Sequence, residues 1–165
     1  MALTSRNEKT VYLLRRRYEE PAEALRGVVS ALRSVPILVG TMWSGSLPTD
    51  FRERLMLTVT AVNACRYCAY AHTRLARRAG VHTEEADQLI AGVVDAAPPA
   101  QRPALAYARA WASAGGTAPA DVTKDLTTIY GRRTARAITA ALNVIQAGNL
   151  LGNTLDHYLE AVSCR

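Results

Sequence analysis

The pattern of apolar and polar positions along the chain reads as helix almost throughout. From Asn7 to about Arg33, Val11, Leu14, Tyr18, Leu25, Val28 and Leu32 recur at helical spacing, with Pro21 and Gly27 as candidate breaks. Pro36 predicts a boundary, because a proline disfavours helix in the residue before it. The next segment, Ile37–Leu47, carries Gly40, Trp43 and Gly45 and reads mostly as loop, with Trp43 as an apolar anchor. Thr49 or Asp50 is placed to cap the following helix. Within it, Leu55–Val62 is almost unbroken apolar sequence rich in β-branched residues, and by propensity alone it is a buried strand. No other segment offers a pairing partner of that character and both flanks look helical, so the expectation is a buried helix.

Asn63 predicts a break and a new N-cap, starting a helix at Ala64 that runs to Arg78 and stops at Gly80. Thr83 caps a short helix, Glu84–Val94, whose first turn places Glu84, Glu85 and Asp87 at the positive end of the helix dipole. Pro98 and Pro99 separate it from a helix at Arg102–Ala114, and GGTAPADV forms a turn into Asp121–Tyr130. The last helix runs from about Arg133 to Val162, with Ile138, Leu142, Ile145, Leu155, Leu159 and Val162 as its expected buried face. Gly148 and Gly152 lie four apart inside it, each costing about 1 kcal/mol relative to alanine. They either admit another helix closely or bend this one. No internal repeat or hairpin signal appears. The expectation is all-α: one domain over 1–165, about six to eight helices, with short flexible ends at 1–6 and 163–165.

Composition narrows the picture. With 165 residues, 49% of them hydrophobic, the chain is sized for one compact domain with its own core. No stretch approaches the roughly 20 uninterrupted apolar residues of a bilayer span, and the N-terminus lacks the apolar core of a secretory signal. A cytoplasmic protein with no membrane association is therefore expected. The net charge of +6 raises nucleic acid or an acidic partner. Yet Arg15–Arg17, Arg74, Arg77–Arg78, Arg132–Arg133 and Arg136 fall on different predicted helices, with no interleaved aromatics as a stacking platform. They read as solvated helix faces, and no nucleic acid partner is expected. Three cysteines match a secreted disulfide framework poorly. Cys164, next to last, reads as a bystander on a tail.

The chemistry concentrates in Asp50–Gly80. Cys65-x-x-Cys68 is followed by His72 and preceded by Glu53. Offsets of three and seven residues return to nearly the same side of a helix, so Cys65, Cys68 and His72 form one redox-capable stripe. A thiolate is favoured at a helix N-terminus or near an imidazolium. His72, one turn beyond Cys68, is placed to exchange its proton, and the second thiol can close a disulfide on a sulfenic acid. On one continuous helix Glu53 would lie roughly 18 Å from Cys65. If the chain reverses near Asn63, Glu53 and His72 come level, giving a relay Glu53–His72–Cys68 in which the carboxylate fixes the imidazole tautomer. Asp50-x-x-Glu53 is equally a capping box, leaving Glu53 a purely local role. Half a zinc site is the other alternative. Tetrahedral zinc takes four ligands, however, and His82, His157 or Cys164 would have to complete the set. No metal or other cofactor is expected.

Glu53 with Cys65-x-x-Cys68-x-x-x-His72, inside RERLMLTVTAVNACRYCAYAH, resembles the AhpD-like alkylhydroperoxidases of the carboxymuconolactone decarboxylase superfamily. The asparagine-rich NLLGNTLDHYL of the last helix extends the resemblance. It implies a helical domain that assembles into trimers or hexamers. It also implies reduction of a hydroperoxide or disulfide substrate, with a thioredoxin-like or lipoyl-bearing protein as reductant. By position, Cys68 is then the peroxidatic thiolate, Cys65 the resolving one, and His72 and Glu53 the proton relay. One departure matters: a branch of that family has a histidine between the cysteines where this chain has Tyr67, and a phenol of pKa near 10 is a poor proton shuttle at neutral pH. Two other functions remain: a decarboxylase or lactone-type enzyme of the same superfamily, and a non-catalytic helical oligomer that senses redox state or binds a small molecule.

Overall fold

Helix α2 (Thr49–Asn63) is the axis of the molecule, with Leu55, Leu57, Val59 and Thr60 essentially without solvent contact. The computed structural model describes residues 15–118 and 120–163; among these are six helices and no strand, an all-α single domain. The other five are α1 (Pro21–Ser44), α3 (Arg66–Arg78), α4 (Thr83–Ile90), α5 (Arg102–Ser113) and α6 (Ala120–Ser163). Gly131 breaks α6 with non-helical backbone (φ 78°, ψ 158°), so 120–130 and 132–163 are two helices meeting at a kink, close to the two expected. α2 packs against α3, α4, α5 and α6, and α1 lies along α6. Phe51, Leu55 and Leu57 meet Leu89, Leu105, Trp111, Ile138 and Leu142 in one core. The β-branched run is therefore helix, because burial against four neighbours outweighs a propensity difference of tenths of a kcal/mol per residue.

α1 departs most from expectation. Among the described residues the first helix begins only at Pro21, which occupies its first turn rather than breaking it. Pro36 lies inside the helix, and the segment expected as loop stays helical to Ser44, closed by Gly45 in left-handed conformation (φ 61°). An interior proline removes one hydrogen bond, here to the carbonyl of Leu32, whose residue faces solvent. Packing along α6 holds the turn regardless. Trp43 is no anchor: it is 82% exposed, as Leu25 and Leu32 are in large part. Gly27 is not a break either, for Tyr18 is folded against it and a Cβ there would sit 1.9 Å from the Tyr18 hydroxyl. Residues 1–14 and Cys164 are outside the described residues, including the expected helical positions Val11 and Leu14.

Smaller corrections concern caps. Pro48 precedes α2, and neither Thr49 nor Asp50 caps it through a side chain; Asp50 instead accepts from Arg54. α4 is preceded by His82 and ends at Ile90, short of Val94, because Gly92 (φ 86°) turns the chain. In α6 the expected apolar face holds for Ile138, Leu142 and Ile145 but fails beyond them. Leu155, Leu159 and Val162 are exposed, while Gln146, Asn149, Asn153 and Asp156 are buried. The inward face at this end of the helix is polar.

Candidate active site

That polar face lies against the reversal between α2 and α3. α2 ends at Asn63, Ala64 takes left-handed backbone (φ 54°, ψ 38°), and Cys65 opens α3 as its N-cap. The helix thus starts at Arg66, and Asn63 is not its cap; Asn63 is fully buried and donates from Nδ2 to Gln146 Oε1 at 2.7 Å. Cys65 supplies the capping acceptor, its Sγ receiving the Cys68 N–H at 3.5 Å.

The reversal brings Glu53 level with His72. Glu53 Oε2 lies 2.7 Å from His72 Nδ1, while Oε1 accepts from Arg52 Nη2 at 3.2 Å. Glu53 is buried at 2% exposure and has no capping role in α2. Because the carboxylate accepts, Nδ1 carries the donated hydrogen, and Nε2 is the ring nitrogen left to exchange a proton. No direct hydrogen bond joins His72 to either thiol among the described residues, so a proton passing between them crosses on substrate or water.

The thiols differ. Cys65 is buried and Cys68 half-buried, and both are free. The adjoining Cys68 thiol lowers the Cys65 pKa, and the Cys68 and Tyr67 N–H groups and the charge of Arg15 assist; against the opposing effect of burial it comes down to about 6. Cys68 is pushed up by its neighbour Cys65 and by burial. In the reduced pair the negative charge therefore rests on the deeper sulfur and the proton on the outer one.

Against the first turn of α3 stands a second carboxylate, which the sequence pattern did not single out. Asp156, 2% exposed, accepts from the Tyr67 hydroxyl at 2.8 Å and is paired with Arg66 and Arg15. Tyr67 is thus a hydrogen-bond donor to a buried carboxylate. Gly152, one turn before Asp156, faces the cysteine: a Cβ there would stand 3.1 Å from Cys65 Sγ. Asn153 ties the same turn to the reversal, donating to the carbonyls of Asn63 at 2.7 Å and Arg16 at 2.8 Å. Arg52, the second partner of Glu53, was also missed. The legible signal was the Gly152–Asp156 spacing, which puts a gap and a charge on one face of α6.

The alternative ligands for a metal are dispersed. His82 precedes α4, His157 packs against Tyr158 on α6, and among the described residues no three His, Cys, Asp or Glu side chains converge as a metal ion requires. Residues 36–114, which include α2, the reversal and α3, match the model of the Carboxymuconolactone decarboxylase family. No curated protein and no solved structure matches the chain.

Proposed function

We propose that this chain, a member of the carboxymuconolactone decarboxylase family through residues 36–114, is a thiol-dependent hydroperoxidase or disulfide oxidoreductase. The observation that carries the reading is the 2.7 Å contact between Glu53 of α2 and His72 of α3, the helix that Cys65 caps and that carries Cys68. Cys68, the more accessible sulfur, is the attacking group. As its sulfur attacks, its proton passes by way of water or substrate to His72 Nε2, and the resulting imidazolium is stabilised by Glu53. The Cys68 sulfur attacks the distal oxygen of the hydroperoxide; the O–O bond breaks, the alkoxide takes the proton from His72, and Cys68 becomes a sulfenic acid. The Cys65 thiolate then attacks that sulfur and displaces hydroxide, which takes a proton from solvent and leaves as water. One thiol, one thiolate, one hydroperoxide and one proton give one disulfide, one alcohol and one water.

The low pKa of Cys65 serves both later steps. It keeps the resolving sulfur ionised at neutral pH. It also makes Cys65 the better leaving group when an external dithiol, of thioredoxin or lipoyl type, attacks the outer sulfur of the disulfide.

The reading is tested by adding one equivalent of cumene hydroperoxide to the reduced protein and mapping the peptides. A Cys65–Cys68 disulfide forming within seconds is expected, with Cys68→Ser inert and Cys65→Ser stopping at the sulfenic acid. Unreactive thiols in the native protein would overturn it and favour the family's thiol-independent chemistry or a binding role.

A further inference from the structure

Far from the thiols, α1 and α6 enclose a groove of about 620 Å³ whose rim is formed by Arg132, Arg133 and Arg136 and whose floor includes Pro36, Ile37 and Gly40. Arg136 precedes Gly152 by sixteen residues on one helix, so the groove is about 24 Å from Cys65. We propose that this groove is a binding site for an amphiphilic organic anion, a carboxylate head on an apolar chain, separate from the redox centre and beyond its function.

Electrostatics supply the first argument. The three arginines fall within the first two turns of the helix that restarts after Gly131, where the dipole is positive and cations are unfavourable. Arg132 and Arg136 are also four apart, a repulsive spacing for like charges. None of the three has a hydrogen-bond or ion-pair partner among the described residues, and all three are exposed. An anion removes each of these penalties at once, and guanidinium groups suit a carboxylate through paired N–H donors.

Shape supplies the second. The volume is that of a small-molecule pocket, and an apolar floor under a cationic rim matches a ligand with one charged end. Through Ile37 the groove continues along α1 past Val29, with Arg26 and Arg33 on its edge, also without ion-pair partners among the described residues. From Gly40 to Val29 is about 16 Å along the helix, room for an extended chain of ten or so carbons. Gly40 keeps the floor open: a Cβ there meets nothing within 4 Å.

Sodium decanoate titrated into the purified full chain by calorimetry is the test. Saturable binding at one per chain is expected, weakening as salt is raised. Arg133→Ala with Arg136→Ala should weaken it at least about tenfold. Gly40→Leu, which fills the floor in open space, should abolish it with helicity and thermal midpoint intact. Thiol oxidation by hydroperoxide should be unchanged in both variants. Inorganic phosphate binding as tightly as decanoate would overturn the proposal, since the floor would then contribute nothing. So would binding only to anionic phospholipid vesicles, or decanoate affinity indifferent to the substitutions.

Discussion

Cys65 is held as the charged member of its pair by groups that come from its position at the head of α3. The Cys68 thiol and the first N–H groups of the helix converge on its sulfur, and the Arg15 charge adds to them. Ultraviolet titration of the reduced protein should show one thiolate appearing with a midpoint near pH 6, absent in Cys65→Ser. The folded pKa lies below the ordinary thiol value of about 8.5. This contribution to stability is therefore complete above that pH and is lost as pH falls through about 6. Urea midpoints of the reduced protein should accordingly drop between pH 9 and pH 6 more than those of Cys65→Ser. Asp156 admits a separate test. Asp156→Asn keeps the shape but removes the charge that Arg15 and Arg66 share, and should cost about 2 kcal/mol in urea unfolding. At this scale the sequence was most legible. Residue types at offsets of three, seven and nineteen sufficed for Glu53, Cys65, Cys68 and His72. Asp156 escaped because its partners lie about ninety and more positions away, where periodicity carries no information.

Within the helices, legibility depended on whether the apolar face was also the buried one. For α2, α5 and the first half of the long segment of α6 it was, and their extents came out close. α1 and the end of α6 break the rule: Leu25, Leu32, Leu155 and Leu159 point outward, while Asn149, Asn153 and Asp156 point in. Asn153, which donates to backbone carbonyls at the helix reversal, and Asn149, which accepts from the Thr60 hydroxyl, are buried with their hydrogen bonds, which no hydrophobic count detects. The two glycines of α6 show the same difference between pattern and place. A Cβ on Gly148 would meet nothing within 4 Å, whereas one on Gly152 would press on the Cys65 sulfur. Gly148→Ala should therefore stabilise by about 1 kcal/mol through helix propensity alone. Gly152→Ala gains the same propensity but must displace the thiol, and should be neutral to destabilising by about 1 kcal/mol. It should also slow disulfide formation. Equal gains in the two variants, measured by chemical denaturation, would mean that Cys65 is not held against α6.

On the scale of the whole molecule, the outward apolar faces demand a covering. Leu25, Leu32, Val39 and Trp43 run down one side of α1, and Leu155, Leu159 and Val162 along the end of α6, all exposed. Among the described residues α1 alone has the length and hydropathy of a membrane span, and only 11% of its most apolar window is buried. Contiguous apolar surface of this kind marks an interface. Self-association is the expected covering, since the stripe is straight, uncharged and long enough for two copies of α1 to pair. Ile37 lies a third of a turn or more round the helix from Val39 and Trp43, and Gly40 about a quarter-turn from Val39 but only about 60° from Trp43, so such pairing runs along the near edge of the groove while the arginine rim stands on α6. Light scattering on the eluting protein should give a multiple of the 17.9 kDa chain mass. Val39→Lys with Trp43→Lys should return it to a single chain, because unpaired charges buried in an apolar seam cost several kcal/mol. The thiol pair sits on α3, away from that seam, and should still be oxidised by hydroperoxide in the dissociated variant. A wild-type mass of one chain in detergent-free buffer would refute self-association and leave α1 to a bilayer or to a different protein.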